Sequence, residues 1–252
     1  MDIKLKILKK RKFKNPVLIC GMPGSGYVGK LAVDHLLNIF ESSAICEIQS
    51  DYFPPQIATN KGIVQTMSNK VYHIETGKTK NDILVLTGDS QPITERGNYL
   101  VSEKIIEYAK NLGIKKIFTL AAYITGEFVN EPKVYGTATE KKHIRILKNK
   151  GVKIMNQGMI TGMNGILIGT AKIKGIEGYS LLGETSGYMI DPKSSKAILE
   201  SLSKILKIKI NLKELSNKIE ETNELINQVD EMKTKTEGIE YSNRDNSSQY
   251  IN

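Results

Sequence analysis

The residues with the clearest chemical signature lie in the segment Gly21–Lys30, which reads G-M-P-G-S-G-Y-V-G-K. Within this glycine loop, Gly24, Gly26 and Gly29 match the spacing G-x-G-x-x-G, in which glycines let a backbone turn approach the pyrophosphate of a dinucleotide. Glu47 follows Gly24 by 23 residues, near the position at which an acid binds the ribose in such sites. The loop by itself therefore indicates a dinucleotide or another phosphate-bearing ligand.

The same loop approaches the phosphate-loop pattern G-x-x-x-x-G-K-[ST], but Leu31 stands where the Mg²⁺-binding hydroxyl belongs. Pro23 removes one backbone N–H at the entrance to a turn that would cradle an anion. A phosphate-loop NTPase is therefore not predicted. Two interpretations stay open: the loop binds an anionic ligand, or its glycines only allow a strand and a helix to approach at a tight turn.

Polar side chains follow the predicted strands at Asp89, Gln91, Glu127 and Glu184. Because the carboxyl ends of parallel strands meet at one edge of a sheet, these side chains could converge near the glycine loop. Two carboxylates there could support acid/base chemistry, although polar residues are expected at strand ends in any α/β protein. The sequence holds no metal-binding motif and no G-x-S-x-G nucleophile pattern, so it predicts neither a metal site nor a catalytic residue.

The order of apolar patterns predicts an α/β protein. Continuous apolar runs are typical of strands buried on both faces, and apolar residues at helical spacing indicate amphipathic helices. Because the two patterns alternate, the sequence predicts a three-layer α/β/α sandwich with a largely parallel mixed sheet. The main predicted elements are central strands at 17–20, 83–87 and 117–122 and helices at 27–40, 94–112 and 192–206.

Other segments predict the rest of the organisation. Ile63–Met67 and Val71–Ile74 are expected to form a hairpin, preceded by a loop at 51–60. The α/β domain is predicted to span 1–210. Residues 211–233 are predicted to form an amphipathic C-terminal helix, which packs on its own domain or contacts another subunit. Residues 234–252 are polar and are predicted to be a flexible tail.

The charge distribution argues against a nucleic-acid partner. The net charge is +9, but residues 1–14 carry seven basic side chains and one acid, whereas residues 211–252 carry five basic and nine acidic side chains. Most of the 36 basic residues are lysines, and base recognition depends on the bidentate guanidinium of arginine. No apolar run approaches the ~20 residues that would span a bilayer. Cys20 and Cys46 lie in apolar runs as expected of reduced thiols, so a cytoplasmic protein is predicted.

Five segments taken together resemble a known family. They read G-M-P-G-S-G-Y-V-G-K-L-A-V-D-H-L, D-Y-F-P-P, L-T-G-D-S-Q-P, G-E and S-L-L-G-E-T-S-G-Y-M-I-D-P-K-S-S-K-A-I-L. This combination resembles the proteasome assembly chaperone family, to which the eukaryotic proteasome assembly chaperone 2 belongs, over residues 15–230. Archaeal members of that family are stand-alone proteins of similar length, so the resemblance implies an archaeal chaperone.

The resemblance implies a fold similar to nucleoside phosphorylases and peptidyl-tRNA hydrolases without their catalytic residues. It also implies a homo-oligomer that binds proteasome α subunits during core-particle assembly and needs no cofactor. On this interpretation the glycine loop is at most a vestigial anion pocket. The candidate residues of that pocket are Gly24, Gly26, Gly29, Gln91 and Glu184.

The C-terminus departs from one pattern of the family. Some archaeal members end in a hydrophobic residue, tyrosine and any residue, and that motif docks between α subunits. This chain ends Gln249-Tyr250-Ile251-Asn252, with the tyrosine one place too early and glutamine where the hydrophobic residue belongs. Tyr250 and Ile251 are therefore candidates only for a looser contact with the partner.

An enzyme is the alternative that the residues leave open. It would be a phosphorylase- or hydrolase-like activity on a nucleoside or nucleotide, with Gly24–Gly29 holding phosphate and Glu184 or Asp89 acting as acid or base. The sequence favours a non-enzymatic binding protein, because no histidine or serine stands where this chemistry would need it.

Overall fold

A nine-stranded mixed sheet forms the centre of the protein. The computed structural model describes residues 2–77 and 80–222. Met1–Leu212 form one compact unit and Lys213 begins a second, of which residues 213–222 are helical. The strands are β1 (Ile3–Ile7), β2 (Val17–Gly21), β3 (Ser42–Ser50), β4 (Ile57–Asn60), β5 (Ile63–Thr66), β6 (Asn69–Ile74), β7 (Ile83–Gly88), β8 (Lys116–Ile124), β9 (Val134–Ala138), β10 (Lys153–Ile154) and β11 (Glu177–Thr185). The helices are α1 (Val28–Ile39), α2 (Glu95–Asn111), α3 (Lys141–Lys148), α4 (Gly162–Ile173) and α5 (Pro192–Leu206).

The strand order of the large sheet is β1-β3-β6-β7-β2-β8-β11-β9-β10. The four central strands, β7, β2, β8 and β11, run parallel to one another. Antiparallel pairing to β6 on one side and β9 on the other makes the sheet mixed. All residues of β2 are buried, as expected of a strand covered on both faces. The predicted α/β class with a large, mostly parallel mixed sheet is confirmed.

Helices cover both faces of the sheet. Helix α1 packs against α5 and against β2 and β8, whereas α2 packs against α4. Alternate residues of β2 divide between the two sides: Leu18 and Cys20 belong to a core cluster with Val101 of α2 and Leu167 of α4. Each βα unit buries its apolar side chains in this way, and the loops that follow the central strands are left at one edge of the sheet.

The predicted hairpin of Ile63–Met67 with Val71–Ile74 is wrong. Strand β5 pairs with β4, and β4 lies within residues 51–60, the segment predicted to be a loop. These two strands form a separate small sheet. Strand β6 instead lies between β3 and β7. Ser68 and Asp89 bring β6 into register with β7, because the Ser68 N–H donates to the Asp89 carboxylate at 3.1 Å and the Asp89 N–H donates to the Ser68 carbonyl at 3.1 Å.

Two glycines let α1 approach the sheet closely. A Cβ atom on Gly29 would lie 2.0 Å from the carbonyl oxygen of Leu120 in β8. A Cβ atom on Gly21 would lie 2.1 Å from the carbonyl oxygen of Gly29. Both obstacles are backbone atoms, which cannot rotate aside. These two glycines of the loop are therefore required by packing whether or not a ligand binds.

We expect the substitution Gly29→Ala to lower the free energy of unfolding by about 3 kcal/mol, because the methyl group must push α1 away from β8. Chemical denaturation followed by circular dichroism measures this change. Gly169→Ala in α4 is the matched control, because no atom lies within 4 Å of the added Cβ. Its free energy of unfolding should rise by about 0.5–1 kcal/mol, since alanine favours a helix over glycine. Equal stability of the two variants would contradict the close-approach argument.

Candidate functional site

A cleft of about 550 Å³ opens at the carboxyl ends of the central parallel strands. Three segments line it: the glycine loop after β2, the end of β8, and residues 155–164, which lead into the first turn of α4. In open α/β sheets, ligands bind at this edge, where strands end and helices begin. The cleft is therefore the candidate ligand site of the fold, and its floor contains the apolar side chains Met22 and Leu182.

Gln91 connects the two sides of the cleft. Its amide nitrogen donates to the Pro23 carbonyl at 2.6 Å, and its amide oxygen accepts from the Met163 N–H at 2.7 Å. Gly162, which has φ +68°, leaves room for this contact, since a Cβ there would lie 2.6 Å from the Gln91 oxygen. Gln91 therefore holds the glycine loop at a fixed distance from the start of α4.

The predicted pocket glycines have different roles. Gly24 and Gly29 line the cleft, and Gly26 does not. Gly26 is buried with φ +60°, and its carbonyl accepts a hydrogen bond from the Asp191 N–H at 2.9 Å. It makes a left-handed turn that continues at Tyr27, which has φ +52°. Gly26 therefore shapes the turn, whereas Gly24 faces the cleft.

The carboxylates considered as acid or base candidates each bind a backbone N–H. The Glu184 carboxylate accepts from the Lys133 N–H at 3.0 Å, and Glu184 is not among the residues that line the cleft. The Asp89 carboxylate accepts from the Ser68 N–H, as described above. These contacts fix β9 and β6 beside the parallel strands. The structure brings Gly24, Gly29 and Gln91 together at the cleft, and places Glu184 apart from them.

The dinucleotide fingerprint is wrong about Glu47. Strand β3, which carries Glu47, is separated from β2 by β6 and β7, so this acid cannot reach a ligand on the glycine loop. It lies 3.9 Å from Lys70 instead. Lys30, the lysine of the near-match to a phosphate loop, contacts the Asp34 carboxylate at 2.6 Å on its own helix. Neither the acid that would bind a ribose, Glu47, nor the lysine that would bind phosphate, Lys30, is therefore placed to contact a nucleotide on the loop.

The two thiols are buried. Burial raises the pKa of the Cys20 thiol far above its ordinary value, and its Sγ lies 3.7 Å from the Asn164 side-chain oxygen. Burial also raises the pKa of Cys46 to about 11. A protonated, inaccessible thiol is a poor nucleophile and a poor metal ligand. Among residues 2–77 and 80–222, no cluster of side chains is suited to a metal ion.

Exposed apolar side chains lie at the ends of β2, β8 and β11 and in the segment before α4, and two of them, Ile124 and Met159, line the cleft. Tyr188 is 78% exposed and lies beside Gly126, while Ile124 packs against Gly187 and is itself 60% exposed. Sequence analysis missed this surface, because exposed and buried apolar residues in loops have the same sequence signal. We call it the apolar rim; its members are Tyr27, Ile124, Phe128, Met159, Tyr188 and Ile190.

Comparison with known proteins identifies the family. The model of the PAC2 family matches residues 18–230, which is most of the chain. The chain belongs to the PAC2 family. A relative from Methanocaldococcus jannaschii, described as an uncharacterised protein, is 33% identical over 218 residues, which are 86% of this chain and 83% of the relative. The family resemblance predicted from the sequence is confirmed.

Two solved structures from Pyrococcus furiosus share the fold. PbaB, described as an archaeal proteasome activator, is 31% identical with a TM-score of 0.85, over 90% of this chain and 98% of its own. PbaA, described as an archaeal homolog of proteasome-assembly chaperone, is 26% identical with a TM-score of 0.77, over 99% of both chains. These two structural neighbours of the PAC2 protein are therefore both described in relation to the proteasome.

Tyr250 and Ile251 lie outside the described residues, as do residues 223–233 of the predicted helix and all of the predicted tail. No helix within the described part of the chain is long and apolar enough to cross a bilayer.

We expect Gln91→Met to lower the free energy of unfolding by about 1–2 kcal/mol, because the Pro23 carbonyl and the Met163 N–H both lose their partner. Amide hydrogen exchange at Met163 should accelerate, which chemical denaturation alone would not reveal. Gln157→Met is the control, since Gln157 also lines the cleft but is exposed. Unchanged exchange at Met163 in Gln91→Met would show that Gln91 does not hold the start of α4.

Proposed function

We propose that this PAC2 protein is a cytoplasmic, homo-oligomeric proteasome assembly chaperone that binds proteasome α subunits during core-particle assembly. The apolar rim is the observation that carries the proposal on the structural side. The family, and the printed descriptions of PbaA and PbaB, supply the partner. The similarity of the fold to nucleoside phosphorylases and peptidyl-tRNA hydrolases stays a prediction.

The apolar rim has the chemistry of a protein interface. Contiguous exposed apolar surface is uncommon on monomeric proteins and usually marks an interaction site. Aromatic side chains dominate the energetics of interfaces, and Tyr27, Phe128 and Tyr188 are 47%, 68% and 78% exposed. The rim follows the ends of the central strands, so a rigid sheet supports it. We infer that α subunits bind across this edge.

Binding rather than catalysis is the function that the geometry favours. Asp89 and Glu184, which the enzyme alternative would use as acid or base, each accept a hydrogen bond from a backbone N–H. Lys30 contacts Asp34, and Leu31 cannot bind a metal ion. No observation on the described residues favours the nucleoside or nucleotide enzyme over the chaperone.

Self-association has a second apolar surface available in the small β4–β5 sheet. Ile57, Ile63 and Val64 in this hairpin are all more than half exposed. The hairpin pairs within itself and adds no strand to the main sheet. We propose that the hairpin contributes to the homo-oligomer. Light scattering after gel filtration should show a smaller species for Ile63→Lys than for the wild type. An identical mass would remove the hairpin from the interface.

The chaperone proposal predicts a complex when the chain is co-expressed with the α subunits of its own organism. Affinity capture of the tagged chain should recover α subunits, alone or with β subunits. Recovery of neither would overturn the proposed function.

The rim predicts which side chains that complex needs. The double variant Phe128→Ser/Tyr188→Ser should reduce α-subunit recovery by about tenfold or more, because it removes two exposed aromatic contacts. Ile173→Ser is the matched control: Ile173 is 82% exposed but lies at the far end of α4, away from the cleft. Equal loss in both variants would assign the effect to general surface apolarity and not to the rim.

A further inference from the structure

We propose that the cleft binds a small molecule with a phosphate or carboxylate group, held by the first turn of α4, the side-chain amide of Asn164 and the glycine loop. This site shares Ile124 and Met159 with the apolar rim, but the residues that hold its ligand are not members of the rim. Its occupant has an oxyanion at one end and an apolar body at the other.

The start of α4 supplies backbone donors. Helix geometry leaves the first N–H groups of a helix without an intrahelical acceptor, and the helix dipole makes that end positive. Thr161, the N-cap, makes no side-chain capping bond. Gln91 satisfies the N–H of Met163, while Gly162 and Asn164 line the cleft on either side of it. Oxyanions bind at helix ends of this kind.

Asn164 is the second and independent observation. Its side chain is 93% buried, being only 7% exposed, yet it lines the cleft. Its amide oxygen faces Cys20, which lies on the core side. Its amide nitrogen lies on the other side of the same carbon, and no described residue accepts a hydrogen bond from it. Because this nitrogen is not among the fully buried atoms without a partner, solvent or a ligand in the cleft can accept from it.

Gly24 leaves space for the ligand on the opposite wall. Its backbone is extended (φ −176°), a conformation that any residue adopts, and a Cβ there would meet its nearest neighbour at 3.8 Å. Neither strain nor packing therefore requires a glycine at this position, in contrast to Gly21 and Gly29. A side chain at position 24 would instead occupy part of the cleft.

The lining determines the class of ligand. None of the described residues that line the cleft is charged, so nothing there repels an anion and no carboxylate competes for the donors. Met22, Ala121 and Leu182 provide an apolar surface beside the donors. The volume of about 550 Å³ lies within the range of small-molecule sites. An aromatic or aliphatic phosphate or carboxylate would place its oxyanion at the donors and its apolar body against Met22, Ala121 and Leu182.

The test is titration of the purified chain with phenyl phosphate, benzoate and inorganic phosphate, by calorimetry and thermal shift at constant ionic strength. We expect saturable binding, with phenyl phosphate about tenfold or more tighter than inorganic phosphate because its ring buries apolar surface. Binding of phenyl phosphate without benzoate identifies a phosphate site, and the reverse identifies a carboxylate site. No saturable binding of any of the three overturns the proposal.

Two variants locate the site. Gly24→Leu should keep the wild-type fold, because its backbone is extended and space surrounds it, but should abolish binding by filling the cleft. Asn164→Asp keeps the acceptor for Cys20, replaces the donor with a negative charge, and should weaken binding about tenfold or more. Gly169→Leu on the open side of α4 is the control and should bind normally. Normal binding by a folded Gly24→Leu variant overturns the assignment to this cleft.

The result does not depend on the chaperone proposal, because binding is measured on the isolated chain. Capture of α subunits tests the rim, and the titration tests the cleft. Failure of one experiment therefore leaves the outcome of the other unaffected.

Discussion

The close approach of α1 to β2 and β8 is the constraint on which the rest of the structure depends. Backbone meets backbone at Gly21, Gly29 and Leu120, so the helix must start directly beside the ends of two parallel strands. The chain reaches that start through a left-handed turn at Gly26 and Tyr27. This turn exposes Tyr27 and leaves Gly24 at the wall of the cleft. The same tight connection therefore positions both candidate functional surfaces.

Side-chain hydrogen bonds to the backbone hold the other segments around that edge. Gln91 binds the glycine loop and α4, Asp89 binds Ser68 at the start of β6, and Glu184 binds the segment before β9. In an enzyme of this class, polar residues at strand ends would face the substrate. Here they bind N–H and C=O groups of the protein, which stabilises a rigid edge.

A rigid edge suits a protein that binds another protein. Ordering loops on binding costs conformational entropy, and this cost is lower when the loops are already fixed by a sheet and by hydrogen bonds. The apolar rim lies on such loops, and PbaB and PbaA share the scaffold at TM-scores of 0.85 and 0.77. The cleft below the rim retains the ligand-binding geometry of an α/β sheet, with donors but without charged residues.

The sequence by itself determined the α/β class, the central strands and the family, because buried strands, amphipathic helices and the segments that carry the resemblance are local patterns. It also indicated that Gly24, Gly29 and Gln91 belong to one edge. It could not place β5 against β4, or put two strands between Glu47 and the glycine loop, because strand order depends on pairing between distant segments. Only the tertiary structure decided that Glu184 binds Lys133 and that Asn164 faces the cleft, since the direction of a side chain depends on neighbours far away in the chain.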